Sequence, residues 1–460
     1  MMTTADFLRP AFLENMMRAH APARNIRVLA VVPLPLDSSA SILTALTAGQ
    51  TDKAIGHFGL AVTLEADGQP QTQRLVLKVK PPGREISAML GSLAQACGGP
   101  LATVYPAFAA RTGFHHTHHR ELAAYQRPAA GLTPTIWGVY ADEAQDAYCV
   151  LMEYLEDVSL LNSVMAPEAW TDAHIRAALT QLAHWHARHL TSTPPQDFDD
   201  QPSAAHMQEL TPLWEALLAN AAAHHPALYP AGRVHVLRTA IAHIPTYWAA
   251  LEKMPKTLIH NDLNPRNTCF KTGPDGLRLC AYDWELATWH VPQYDVVELL
   301  SFVLAEDRYH LRLGYLEHYR QALHALTGRY ADAEAFRLGA SYAALDFGLH
   351  RLGMYLMAHA VSPYPFLPRV VDSYFDALAQ LQPPVLRAEA ENVSRVDEAL
   401  PDDLAFDFSL LDAQHFLSKE RRLSAMPDPA SSPEKMGPAR RANWYARLDT
   451  NLLPVTAPAS

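Results

Sequence analysis

Cysteine is scarce: four in 460 residues, Cys97, Cys149, Cys269 and Cys280, and no two of them form a C-x-x-C pair. A chain of this length can build a core without cross-links, so the count excludes a disulfide scaffold and makes a reducing, cytoplasmic compartment the expectation. Positive charge is short as well. Lys and Arg total 37 against 48 Asp and Glu, a formal net charge of -11. Nucleic-acid binders need a dominant basic surface to displace counterions from phosphates, so no nucleic-acid partner is expected. Long apolar runs are missing too. The longest near the N terminus, Ile26 to Leu36, is broken by Pro33 and Pro35 and cannot span a bilayer, so neither a membrane partner nor a secretory leader is expected. What is abundant is hydrophobic residue, 49% of the chain. That is ample for a packed core in two or three units and excludes a mainly disordered or fibrous chain.

Residues 1–40 read as an N-terminal leader, one helix over Ala5 to His20 and then a proline-punctuated extended piece. Strand-like alternation follows over Lys53 to Glu65 and Gln73 to Lys80, with a turn at Ala66-Asp67-Gly68-Gln69. Two helices are expected over Glu85 to Ala96 and Gly113 to Gln126, then strands over Thr135 to Tyr140 and Tyr148 to Tyr154. Beyond Leu155 helical periodicity dominates, at Asp172 to Leu190, Ala204 to Ala223, Arg233 to Glu252, Asp295 to Leu304, Leu311 to Leu326, Ala333 to Ala360 and Val370 to Leu381. Short extended pieces interrupt it around Thr257, Thr268 and Leu277. The expected fold class is α+β, with a strand-rich lobe over 41–157, a helical lobe over 158–382 and a C-terminal extension over 383–460.

The segment Leu258-Ile259-His260-Asn261-Asp262-Leu263-Asn264-Pro265-Arg266-Asn267 carries the chemistry. An apolar extended approach delivers His260, Asp262 and Asn267 into one loop, and a second extended run ends in Tyr282-Asp283-Trp284-Glu285. Phosphoryl transfer needs a carboxylate at the attacking hydroxyl and oxygen ligands for Mg2+ that gather triphosphate charge. Asp262 meets the first need; Asn267 and Asp283 meet the second. The H-x-D-x-x-x-x-N spacing arises by chance on the order of 0.03 times in a chain of this composition.

These stretches resemble the aminoglycoside phosphotransferase and choline kinase group within the protein-kinase-like superfamily, over roughly residues 41 to 380. The resemblance implies a bilobal protein-kinase-like fold, ATP and Mg2+ as cofactors, and a small-molecule hydroxyl substrate. It makes Asp262 the catalytic base, Asn267 and Asp283 the metal ligands, and His260 a loop-shaping residue. The Trp-Glu after Asp283 is typical of the small-molecule kinases. Val76-Leu77-Lys78 looks like the strand lysine that reaches the phosphates, although Lys80 shares its face. Arg120-Glu121-Leu122-Ala123-Ala124-Tyr125 is similar to the helix whose Glu pairs with that lysine. Cys149 to Leu155 resembles the strand entering the interlobe hinge, which makes backbone groups of Glu153 and Leu155 the purine contacts. Pro292-Gln293-Tyr294-Asp295 looks like the segment that braces the catalytic loop. The nucleotide loop departs from the pattern, since Thr47 to Lys53 offers a single glycine. Trp284, Glu285, Trp289, Asp346, His350 and Arg351 are candidate substrate walls. A monomer or homodimer is expected. Two other readings stay open: a non-catalytic nucleotide-binding regulator on the same scaffold, and a metallohydrolase built on His115, His116, His118 and His119.

Overall fold

In the computed structural model, which describes residues 2–36, 55–127, 131–198, 201–274 and 276–387, the strand-rich lobe is one antiparallel sheet. Its strands are β1 (Ile26–Leu34), β2 (Gly56–Ala66), β3 (Gln69–Lys80), β4 (Ile136–Asp142) and β5 (Ala147–Glu153), in spatial order β1-β2-β3-β5-β4. Asp67 and Gly68 link β2 to β3 with φ of 53° and 82°. Two successive positive φ values match the right-handed twist of the strands, and this is why an Asp-Gly pair stands there. The segment expected to be a leader belongs to the sheet. Its extended piece is β1, paired with β2 from Ile26↔Ala66 to Leu34↔Gly59. Its helix begins at Pro10, where the missing N–H costs nothing, and runs to His20. Leu13, Met16 and Met17 from that helix join Leu60, Val62, Leu75 and Leu77 in a core on one face of the sheet.

Two helices follow β3, Gly83–Cys97 and Gly99–Phe108. The second is not signalled by the sequence, because Gly98 caps it, Gly99 is its first residue and Pro106 sits inside it, all poor helix formers. This pair lies against the helical lobe, where Cys97 Sγ donates to the Met357 carbonyl at 3.3 Å. The stretch expected to be helical over Gly113 to Gln126 is a single 3-10 turn followed by the helix Thr117–Tyr125.

The helical lobe contains every helix anticipated after Leu155, with two of them divided. Ala204–Glu209 and Thr211–His224 part at Pro212, and Ala231–Ala242 and Ile244–Lys253 part at Pro245, since proline can start a helix but not continue one. The expected helix over Ala333 to Ala360 holds a π-helical turn, Gly348–Leu352, between Ala333–Phe347 and Gly353–Val361. Short strands are set among these helices. β6 (Val158–Ser159) edges a sheet, and β7 (Thr257–Ile259) leads into the Asp262 loop. The hairpin of β8 (Thr268–Gly273) and β9 (Gly276–Ala281) leaves that loop, and β10 (Thr288–His290) returns to pair with β7. The architecture is bilobal α+β, as expected. Among the described residues no helix is long and apolar enough to cross a membrane. Val385 and Leu386 close the described chain buried on the core; residues 388–460 and the loop Thr47 to Lys53 lie outside the described residues.

Candidate active site

Alternation along β3 puts Lys78 and Lys80 on one face, and both are almost completely buried. Opposite them, Glu121 is fully buried on the helix Thr117–Tyr125. Lys78 Nζ donates to Glu121 Oε1 at 2.7 Å and to Asp283 Oδ1 at 2.5 Å. Lys80 Nζ donates to Glu121 Oε2 and, at 2.8 Å, to Glu285 Oε2. One helical turn beyond Glu121, on the same face, the Tyr125 hydroxyl accepts the Asp283 backbone N–H at 3.1 Å. Burial pulls the Lys78 ammonium towards neutrality, but the Asp283 and Glu121 carboxylates more than reverse this and keep it charged. Burial likewise pushes the Asp283 carboxyl up, and the Lys78 and Lys80 charges override it and hold the group well below the usual carboxylate range. Asp283 itself sits at φ 66°, a left-handed conformation held by the tie to Tyr125.

The second half of the site is the loop between β7 and β8. Its backbone is fixed from below by Asp295, whose carboxylate accepts the N–H groups of His260 and Asn261 at 2.8 and 2.9 Å. His186 Nε2 lies 3.2 Å from the same carboxylate. Asp295 therefore braces the loop instead of capping its own helix, which starts at Gln293. Glu298, one turn on, accepts the Leu263 N–H at 2.8 Å, a contact not anticipated from sequence although the i, i+3 spacing places both acids on one face. His260 turns its Nε2 to the Tyr282 carbonyl at 3.0 Å, and the Tyr282 N–H donates to the Asn267 carbonyl at 2.9 Å. These ties, with the β8–β9 hairpin, carry Asn267 and Asp283 to the same end of one ladder.

Asp262 stands in the middle of these elements. Asn267 Nδ2 donates to its Oδ2 at 2.9 Å, which leaves the Asn267 amide oxygen as the atom able to ligate a cation. Arg351 Nη2 and the Tyr355 hydroxyl both donate to Asp262 Oδ1, each at 2.6 Å. Burial would raise the Asp262 carboxyl, but the Arg351 and Arg266 charges prevail and keep it ionised. Arg351 was a candidate wall from sequence; Tyr355 was not, and its only signal was its place four residues after Arg351 on one helix face.

The remaining expected positions divide. Glu153 ends β5, with its N–H on the Thr135 carbonyl at 2.9 Å and its side chain paired with Lys271; Leu155 lies two residues on, where the chain crosses between lobes. Trp284 and Trp289 are not walls. Trp284 is fully buried against Trp185 and His260, and Trp289 is buried beneath Lys256. His350 reaches the Thr112 carbonyl at 3.1 Å, and Asp346 is 3.4 Å from His290. In the histidine cluster, His118, His119 and Glu143 place potential ligand atoms within 4.8 Å of one another. However, His118 Nδ1 accepts the Gly83 N–H at 2.9 Å, so the proton of its neutral ring is on Nε2 and no lone pair is free for a metal. Glu121, Asp283 and Glu285 bring carboxylate oxygens equally close, but Lys78 and Lys80 already occupy that set, both Glu121 oxygens included, so the oxygen donors left for a hard cation such as Mg2+ are Asp283 Oδ2 and the Asn267 amide oxygen.

A small antiparallel sheet over a helical body, with a strand lysine, a helix glutamate and two acid-bearing loops meeting where the lobes face each other, is the arrangement of kinase-like phosphotransferases. The chain belongs to the phosphotransferase enzyme family, whose model matches residues 66–333. No curated protein matches it significantly. Among solved structures it is similar to a Plasmodium vivax ethanolamine kinase, at 10% identity and a TM-score of 0.34, covering 78% of this chain and 83% of that one. It is also similar to a choline kinase from Streptococcus pneumoniae, at 13% identity and TM-score 0.34, covering 78% and 94%. A third is aminoglycoside 2'-phosphotransferase-IIIa in complex with GDP, at 12% identity and TM-score 0.37, covering 76% and 98%. At such TM-scores these likenesses add nothing to the family match.

Proposed function

We propose that the protein transfers the γ-phosphoryl group of ATP to a hydroxyl of a small molecule, with Asp262 as base. The observation that supports this best is the convergence of the Lys78–Glu121 and Lys78–Asp283 pairs with the Asn267–Asp262 bond at one ladder end. Mg2+, held by Asn267 and Asp283, would supply charge neutralisation at the phosphates. Lys78 is charged and aimed at the same place, so it can bind phosphate oxygens once released from Asp283. The purine edge is assigned to backbone groups of Glu153 and Leu155 other than the Glu153 N–H, which the Thr135 carbonyl already holds.

The acceptor oxygen bonds to the γ-phosphorus as the bond from that phosphorus to the β,γ-bridging oxygen breaks, and the hydroxyl proton passes to Asp262. A carboxylate kept this acidic accepts a proton only late, after the oxygen has begun to bond, which suits a loose transition state.

The test is ADP release in the presence of ATP, Mg2+ and a panel of small alcohols. Asp262→Asn should lower turnover roughly 10^2- to 10^4-fold while nucleotide still raises the melting temperature. Nucleotide binding with no ADP release for any acceptor would instead favour the non-catalytic regulator.

A further inference from the structure

The two oxygens of Asp262 face different company. Oδ2 is on the side of Asn267 and, through the hairpin, of Asp283. Oδ1 is on the side of the Arg351 and Tyr355 helix. A second guanidinium stands there too. Arg266 lies over the rings of Tyr355 and Phe366, at 5.9 and 5.1 Å from their centres, with Nη2 3.5 Å from the Tyr355 hydroxyl. Arg351 lies between the rings of Phe114 and Tyr355, at 5.6 and 5.2 Å. Stacking of this kind fixes a guanidinium plane in place.

Charge and donors are therefore in excess on this side. Two guanidinium groups, which cannot shed their protons, stand in the field of one ionised carboxylate: Arg351 is in contact with Asp262, while Arg266 reaches the Asn264 amide oxygen at 3.3 Å and feels Asp262 only through its charge. Of the other acids in this region, Asp295 is taken by the His260 and Asn261 N–H groups, while Glu298 gives Oε2 to the Leu263 N–H and is held towards the neutral form by burial and by the charges of Asp262 and Asp295. Arg351 is only 5% exposed, yet its Nε has no hydrogen-bond partner. A buried donor without an acceptor costs about 1–3 kcal/mol, so such a group is normally satisfied in the working state of the protein.

We infer that the acceptor alcohol carries an anionic group, carboxylate or phosphate, which Arg351, Arg266 and Tyr355 bind while its hydroxyl meets Asp262. This rests on the phosphotransfer proposed above and names its substrate class. A fixed guanidinium fork with an adjacent hydroxyl matches the oxygens of a carboxylate or phosphate. An amino-alcohol would bring its cation against two guanidinium groups beside a carboxylate that is already engaged. The same arrangement links binding to base activation. Without an acceptor, Oδ1 takes close donors from Arg351 and Tyr355, each at 2.6 Å, and a longer one from Asn264 Nδ2 at 3.2 Å. An arriving anion draws Arg351 and Tyr355 to itself, leaving Oδ1 only the longer Asn264 contact and room for the substrate hydroxyl, so water alone is a poor acceptor.

The experiment compares acceptors of similar size by ADP release: glycerate, 3-hydroxybutyrate, gluconate and glycerol 3-phosphate against choline, ethanolamine, kanamycin and glycerol. Asp262-dependent turnover should be confined to the anionic set, and carboxylate against phosphate members separates the two sources of the anion. Arg351→Gln should raise KM for the best anionic acceptor by about tenfold or more, with KM for ATP changed less than about twofold. Arg351→Lys should recover part of the loss. Tyr355→Phe, which keeps the ring stacking and hence the fold, should raise the same KM by a smaller factor. Faster Asp262-dependent turnover of a cationic or neutral acceptor overturns the inference and leaves the phosphotransfer proposal standing. A fall in kcat with unchanged acceptor KM in Arg351→Gln assigns that arginine to the transferring group and also overturns it. No ADP release with any acceptor from folded, nucleotide-binding protein removes the phosphotransfer proposal itself, and this inference with it.

Discussion

Glu121 holds two lysines at once, Lys78 through Oε1 and Lys80 through Oε2, and so sets the charge of the whole cleft. The two lysines differ in what else they hold. Lys78 also reaches Asp283, the proposed metal ligand, whereas Lys80 reaches Glu285 and is the more deeply enclosed of the two side chains. Loss of Lys78 should therefore appear in catalysis and loss of Lys80 in stability. Lys78→Met is expected to lower kcat/KM roughly 10^2- to 10^3-fold in the ADP-release assay. Lys80→Met leaves two acids facing each other around an uncompensated gap in charge, and should cost about 3–5 kcal/mol in urea unfolding. Equal stability losses with equal activity losses would show that the lysines are interchangeable. Strand alternation makes both lysines legible in the sequence but cannot rank them, because the ranking depends on Asp283 and Glu285, which arrive more than two hundred positions later.

At the level of elements, the π turn at Gly348–Leu352 is what brings Arg351 to Asp262. The extra residue in the turn shifts the helix face, a common device at functional sites. Gly348 permits it for a steric reason. Its φ of -65° suits any residue, but a Cβ there would lie 1.8 Å from the Tyr374 hydroxyl oxygen. Gly348→Ala is expected to destabilise the fold by roughly 1–3 kcal/mol and to reduce kcat/KM by moving Arg351, measured by urea unfolding and ADP release on one preparation. An unfolding midpoint equal to that of the parent would show that Tyr374 can yield. Periodicity over Ala333 to Ala360 reads as one helix, and nothing local to it reports Tyr374 from the helix Leu367–Leu381. The catalytic hairpin is the opposite case. The β8 and β9 patterns are short and local, and their pairing follows from a two-residue connection, so the approach of Asn267 to Asp283 is written into the chain itself.

Across the whole molecule, acid stability depends on two histidines of the strand-rich lobe that stay neutral. Burial, aided by Lys78, pushes His57 down to about 4. Burial, aided by His119 and Lys80, pushes His118 down to about 3. The ordinary value is 6.5, so the unfolded chain takes up these protons first. Their contribution is complete above about pH 7 and is lost progressively as the pH falls from about 6.5 towards 4. Protonation of His118 would also set a second donor against the Gly83 N–H. His118→Asn keeps an acceptor but cannot titrate, and should lose less stability than the parent between pH 7 and pH 4.5 in urea unfolding. Identical losses would remove His118 from the account. On its own the sequence determined most of the helices and strands and the two chemical loops, because these rest on short-range pattern: alternation, helical spacing and turn chemistry. The lysine–glutamate pair, 43 positions apart, was legible only through the family resemblance. Only the tertiary structure decided that the leader supplies β1, that Trp284 and Trp289 are core, and that Arg351 and Tyr355 take the second oxygen of Asp262. Those outcomes depend on which distant faces are buried against each other, and local pattern carries no record of that.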